Sequence, residues 1–300
     1  MPSSYQIERA DAFAWLGTQS ANSFEAVVSD PPFAVLEYLP SELAKRRAKK
    51  GGIWRLPQVF DGFERKPTPR FTVLSQSDLA RLAQFHTRLA VLMERVLVPG
   101  AHVFLASQSL LSHIVASAFS GAGFEVRGQI VRVVKTLRGG DRPKGAHLQF
   151  ANVSVAPRAC YEPWLIFRKP FFGTIEANLR KWGTGALRRP SRDVPFSDLI
   201  VAPPPSQRER AIAPHPSLKP QGLMRRLTYS ALPLGKGRIL DPFMGSGSTI
   251  AAATAQELLS VGVETDWRYF RMAEAAIPKL ASLIESRNGS PAPVAAKKSA

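Results

Sequence analysis

The sequence predicts an α/β domain built on a largely parallel sheet. Short apolar strands alternate with helical stretches along the chain, the pattern that βαβ units leave. The acidic and glycine-rich segments then fall just after strands, where such folds collect their ligands. These segments are Asp11, Ser29-Asp30-Pro31-Pro32-Phe33, the run from Asp241 to Gly247, and Glu264.

Tyr5 to Arg9 reads as a strand and Asp11 to Leu16 as a short helical turn. The apolar strand Phe24 to Ser29 stops at Pro31 and Pro32, because neither proline can extend a ladder. Residues 34–76 read as a long loop holding the basic run from Lys45 to Lys50 and then Trp54; a loop of this length in a compact domain is functional or disordered. Ser77 is expected to cap a helix carrying Leu79, Leu82, Leu89, Leu92, Met93 and Val96 at roughly helical spacing, ended by Val98-Pro99-Gly100. A short strand from His102 to Ala106, a helix from Leu110 to Phe119 and a long strand from Phe124 to Val134 follow. Residues 136–150 read as a polar, basic loop. Val153 to Val155 and Pro163 to Phe167 are expected to pair as a hairpin. From Phe171 to Pro214 periodicity is poor, and the three prolines of Ala202 to Pro205 make a stiff connector. Beyond it come a helix from Gln221 to Leu232, a strand from Arg238 to Leu240, a helix from Thr249 to Leu258, a strand from Ser260 to Val263 and a helix from Trp267 to Ile284. The tail from Arg287 to Ala300 has the composition of a disordered segment.

The 300 residues suffice for one large domain with a small insertion. No stretch is long and apolar enough to cross a bilayer, and Glu8 and Asp11 stand where a secretory signal would need an apolar run. Cys160 is the single cysteine, which excludes an intrachain disulfide and a cysteine-based zinc site; it is expected as a small core residue. The 40 Lys and Arg against 23 Asp and Glu give a formal charge of +17, a field that favours a polyanion. Nucleic acid and membrane surfaces both qualify, and a drift of composition toward Arg and Ala would also produce it.

Three motifs narrow the chemistry. The strand ending at Asp241 runs into Gly245-Ser246-Gly247-Ser248-Thr249 and a helix, a turn that lets a ligand approach the backbone. It lacks the lysine of a phosphate-binding P-loop, and Ile250 stands where a dinucleotide fingerprint wants a third glycine, which disfavours a nucleotide-dependent oxidoreductase. Glu264, at the end of the next strand, can accept hydrogen bonds from ribose hydroxyls; it can equally be the neighbour of a helix cap at Thr265 or Asp266. Asp30-Pro31-Pro32-Phe33 offers a carboxylate and a stiffly held carbonyl as two acceptors for one amino group, with Phe33 as a stacking surface. An exocyclic amine on a base is a poor nucleophile, because its lone pair is delocalised into the ring. Two preorganised acceptors would draw the nitrogen toward tetrahedral geometry.

On these residues the chain resembles the amino-directed DNA methyltransferases, which act on N6 of adenine or N4 of cytosine. Asp30-Pro31-Pro32-Phe33 matches their catalytic tetrapeptide and the run from Asp241 to Gly247 their cofactor loop. His215-Pro216-Ser217-Leu218-Lys219-Pro220 is similar to the motif before that loop, and Gly262-Val263-Glu264 with Tyr269 to the ribose-binding segment. The resemblance implies a Rossmann-like fold with S-adenosylmethionine as cofactor and no metal. Asp11 would lie near the cofactor's adenine, and Asp30, His215, Ser217, Lys219, Asp241, Phe243, Gly245, Gly247 and Glu264 would hold the rest. The order, with the tetrapeptide first, resembles the permuted β-like class. It implies a catalytic domain over 1–170 and 214–286 and a target-recognition insertion over 171–213, containing Arg180, Lys181, Trp182, Arg188 and Arg189. The loop 34–76, with Lys49, Lys50 and Trp54, is expected to share the DNA contacts, and 287–300 is the tail. Since the tetrapeptide begins with Asp rather than Ser, N6 of adenine in flipped-out duplex DNA is the implied target. N4 of cytosine and a catalytically silent DNA-binding subunit are the rivals. A cognate restriction endonuclease, a monomer or homodimer without membrane contact, and the nucleoid-associated cytoplasm of a bacterial or phage-infected cell complete the expectation.

Overall fold

The computed structural model describes residues 4–32, 59–60, 63–64, 75–134, 142–143 and 145–284. Phe33, Lys49, Lys50, Trp54 and the tail 287–300 lie outside the described residues.

In chain order the elements are β1 (Tyr5–Arg9), α1 (Ala12–Thr18), β2 (Phe24–Ser29), β3 (Val59–Phe60), β4 (Phe63–Glu64), α2 (Gln76–Val96), β5 (Leu97–Ala106), α3 (Ser112–Gly121), β6 (Glu125–Val133), β7 (Tyr161–Arg168), α4 (Ile175–Trp182), β8 (Leu199–Val201), α5 (Gln207–Ile212), α6 (Gln221–Ala231), β9 (Arg238–Asp241), α7 (Ser248–Thr254), β10 (Leu259–Glu264) and α8 (Trp267–Ala281). The main sheet has the order β1-β10-β9-β2-β5-β7-β6-β8. Only β7 runs against its neighbours; every other adjacent pair is parallel. The carboxyl ends of β2, β5, β9 and β10 therefore meet at one edge.

Alternation along the central strands divides the core. Val27, Val103, Leu105 and Phe167 pack with Leu16 of α1, Leu89 and Met93 of α2 and Phe119 of α3. Ala26, Val28, Phe104 and Trp164 point the other way, onto Leu223 and Leu227 of α6 and Ala252 of α7. A period of two in the strands thus gives a sheet covered on both faces.

Several boundaries depart from expectation. The cap of α2 is Ser75, not Ser77: Asp78 stands three residues after Ser75 and the two close a reciprocal capping box. Val98-Pro99-Gly100 lies inside β5 rather than ending the preceding helix. Pro99 has no N–H to donate, and its carbonyl accepts from Asn178 Nδ2 (3.1 Å) and Thr184 Oγ1 (2.6 Å). Residues 153–155 form no strand; Val153 and Val155 are exposed. The antiparallel partner of β7 is instead β6, and β8 continues the sheet beyond it. Cys160 is exposed rather than core. The stretch 171–213 also supplies β8 to the sheet and docks α4 against the start of β5 through Asn178. Among the described residues no helix is long and apolar enough to cross a membrane.

Candidate active site

Asp30, His215, Ser217, Lys219, Asp241, Phe243 and Gly245 line a single cleft where β2 and β9 end. Residues from three distant parts of the chain meet there because parallel strands present their following turns at one edge.

Asp241 is buried and anchors the floor. Its Oδ1 accepts from Ser29 Oγ (2.7 Å) and from the Phe243 amide (3.1 Å). Burial pushes its carboxyl up to about 6, against the pull of Thr249, Ser29 and the Phe243 amide. Glu264 ties the glycine loop to the end of β10: its Oε2 accepts from the Gly245 amide (3.1 Å) and its Oε1 from the Asp266 amide (2.7 Å). The two expected roles of Glu264 therefore divide, since Asp266 itself caps α8 while Glu264 shapes the loop. Gly245 has φ +53, and a Cβ there would sit 3.1 Å from the His215 ring. His215 stands edge-on to Tyr269 at 4.2 Å and accepts from the Ser217 amide on Nδ1 (3.1 Å). Burial, then Lys219, lowers its pKa to about 4, so the ring is neutral at physiological pH.

The strongest charges sit opposite the glycine loop. Lys219 Nζ lies 2.7 Å from Asp30 Oδ2 and 3.5 Å from Glu162 Oε1. Glu162 also accepts from Arg132 (3.1 Å) and from Trp164 Nε1 (2.9 Å). Burial raises the Asp30 carboxyl, with Lys219 opposing. Burial alone would lower the Lys219 ammonium, but Asp30 and Glu162 outweigh it and keep the cation charged. Pro31 is buried and Pro32 exposed beside Asp30.

Three predicted groups are placed differently. Asp11 spends its Oδ1 on the Ala14 amide (2.9 Å) as the cap of α1, at the same edge as Glu264 but outside the cleft. Gly247, at φ +83, turns toward α8, where a Cβ would meet Ile277. Arg180, Lys181, Arg188 and Arg189 lie toward the other end of the sheet. The helix carrying Arg180, Lys181 and Trp182 is pinned to Pro99, whereas Leu105 of the same strand pairs with Ser29 beside Asp30. Six strand residues separate those levels, about 20 Å. Trp182 packs on the core, Arg180 pairs with Glu176 one turn back, and Arg188 stacks on Tyr229 at 4.1 Å; Arg189 beside it is exposed.

Glu162 and Arg132 went unnoticed in the sequence. The available signal was a charge set among apolar neighbours, in Tyr161-Glu162-Pro163-Trp164 and Val131-Arg132-Val133, since a charge in the buried part of a strand is rarely unpaired.

Residues 24–275 match the family described as DNA methylase (N6_N4_Mtase). The chain belongs to this family. The methylase is also 24% identical, over 297 residues, to the type II methyltransferase M.HindIII of Haemophilus influenzae, covering 89% of this chain and 93% of that one. Its fold resembles that of M1.HpyAVI in complex with SAM (TM-score 0.54, 18% identity, 93% of this chain and 100% of that one). It also resembles the cytosine-N4-specific PvuII DNA methyltransferase (TM-score 0.59, 12% identity, 93% of each chain). The likenesses to the solved structures show the fold.

Proposed function

We propose that the methylase transfers a methyl group from S-adenosylmethionine to N6 of an adenine flipped out of duplex DNA. The observation that carries this reading is the Asp30 carboxylate, lining the cleft at the end of β2 and held by Lys219 at 2.7 Å. The amino-acid end of the cofactor is a zwitterion, and the cleft offers it both signs of charge in Asp30, Asp241 and Lys219. Glu264, behind Gly245, suits the ribose. When bound, the cofactor supplies an electrophilic methyl group on a sulfonium. The chain's own part is positioning and electrostatics. Asp30 and the Pro31 carbonyl accept hydrogen bonds from the target amine, and the two prolines keep these acceptors fixed. His215, neutral and packed on Tyr269, walls the cleft without adding a charge.

Aspartate at the head of the tetrapeptide favours adenine over cytosine. Duplex DNA is the partner that the charge of +17 fits, and a companion endonuclease of the same specificity is the natural setting. Base recognition falls to chain at the catalytic edge, while Arg180, Lys181 and Arg189 add to the general field. Mass spectrometry of nucleosides from DNA treated with the wild-type protein should show N6-methyladenine, and Asp30→Ala should lower its yield by roughly a hundredfold or more. N4-methylcytosine in its place would reassign the base and leave fold and cleft standing. Unimpaired Asp30→Ala would remove the proposed role of the carboxylate.

A further inference from the structure

We infer that Glu162, on β7, is a positioning residue for methyl transfer: it shares Lys219 with Asp30 and so sets how tightly the catalytic carboxylate is held. The inference rests on the reading of Asp30 as the amine acceptor.

Four charges alternate along one line. Arg132 donates to Glu162 (3.1 Å), Glu162 faces Lys219 (3.5 Å), and Lys219 grips Asp30 (2.7 Å). The side chains of Arg132, Lys219, Asp30 and Glu162 are only 5, 14, 18 and 23% exposed, so screening by water is weak and each charge depends on its neighbours. Glu162 is the fixed member. Its Oε1 also accepts from the indole of Trp164 (2.9 Å), a ring wholly buried in the core. Its partner Arg132 is clamped by the carbonyls of Ala202 (3.3 Å) and Pro203 (2.9 Å). Asp30, by contrast, follows the last residue of β2, and Lys219 sits in the turn before α6.

A lone Lys219–Asp30 pair would draw the ammonium wholly onto the carboxylate and weaken it as an acceptor for a neutral amine. A carboxylate on the far side of Lys219 divides that attraction. It also fixes Nζ, and with it the rotamer of Asp30. Glu162 touches neither reactant; it acts through Lys219. The arrangement accounts for the segment 202–203, whose carbonyls serve Arg132, and for the placing of Arg132 in β6 and Glu162 in β7.

The test is a double-mutant cycle of Glu162→Gln and Lys219→Met in the full chain. Its readouts are single-turnover methyl transfer to DNA, S-adenosylmethionine affinity by calorimetry, and the titration midpoint of the Asp30 carboxyl by carbon-13 NMR. Around Asp30 the charged groups are Lys219, Glu162, Arg132 and Asp241. Glu162→Gln should slow transfer roughly tenfold or more with cofactor affinity changed by less than about threefold. Most of that loss should vanish on the Lys219→Met background. The Asp30 midpoint should fall in Glu162→Gln, because Lys219 then belongs to Asp30 alone, and Glu162→Asp should recover part of it by restoring the charge. An unchanged Asp30 midpoint, an unchanged rate, or a loss that adds in full to that of Lys219→Met would overturn the inference. If the wild-type protein methylates no DNA, the reading of Asp30 fails instead, and the NMR titration still decides whether Glu162 governs Lys219.

Discussion

Gly245 and Gly247 occupy one turn and answer to different neighbours. The sequence marks both as positions where backbone must come close to something, but the neighbour is fixed only by the fold. Gly245, at φ +53, backs onto the His215 ring, while a Cβ added at Gly247, at φ +83, would lie 2.5 Å from Ile277 Cγ1. A methyl at Gly247 therefore strikes the packed face of α8, and left-handed backbone adds strain. Gly247→Ala should lower stability by about 1–3 kcal/mol, seen as an earlier denaturant midpoint. Gly245→Ala pushes on a ring in the cleft wall, so calorimetry should find its larger effect in cofactor affinity. The reverse ranking would mean that the turn faces the other way. Asp30 was legible because its chemistry is carried by contiguous residues, 30–33. Glu162 was not, because its partners Arg132, Trp164 and Lys219 come together only when β6, β7 and the turn before α6 assemble.

At the scale of elements, the strands around the site were readable because parallel strands buried on both faces are short apolar runs ended by turn residues. β2, β9 and β10 stand within a residue of expectation. Reading failed where tertiary contacts replace periodicity. β5 absorbs Pro99 and Gly100 because α4 and Lys169 satisfy that backbone, and β8 joins the sheet as a three-residue strand too short to show a pattern. The placement of α4 has a consequence for recognition. Arg180 and Lys181 sit about 20 Å from the catalytic edge by strand rise, so replacing them with alanine should leave the preferred sequence unchanged in a competition assay over a randomised duplex library. A lost base-edge contact would instead cost about 1–3 kcal/mol of discrimination, visible as relaxed preference at one position. Trp182→Ala should act on stability, since the ring packs against the core. A change of preferred sequence in Arg180→Ala would bring α4 into the recognition surface.

For the whole molecule, the balance of buried titrating groups sets how stability follows pH. His86 and His102 are 2% and 4% exposed, and their Nδ1 atoms lack a hydrogen-bond partner. Burial lowers their pKa values to about 4 and about 3, with Arg168 and Arg127 contributing at His102. His215 is lowered to about 4. In the unfolded chain all three would titrate near 6.5. A group with a depressed folded pKa gives stability that is present above its unfolded value and lost as pH falls toward its folded value. Between about pH 6.5 and 4 the unfolded chain therefore takes up protons that the fold refuses. Asp241 and Asp30 oppose this, since their carboxyls, raised by burial and in Asp241 to about 6, favour the fold as they become protonated. Three histidines outweigh these two carboxyls, and every added proton raises a net charge already at +17, which increases self-repulsion. Denaturant melts at pH 7.5 and pH 5 should show lower stability at pH 5, with a loss on the order of 1–2 kcal/mol for each of His86 and His102. His86→Leu should flatten the dependence, and its removal of an unpaired ring nitrogen makes an isolated loss of folding at neutral pH the less expected outcome. Equal or greater stability at pH 5 would mean that these rings accept protons within the fold, through an opening of the core that brings water to His86 or His102.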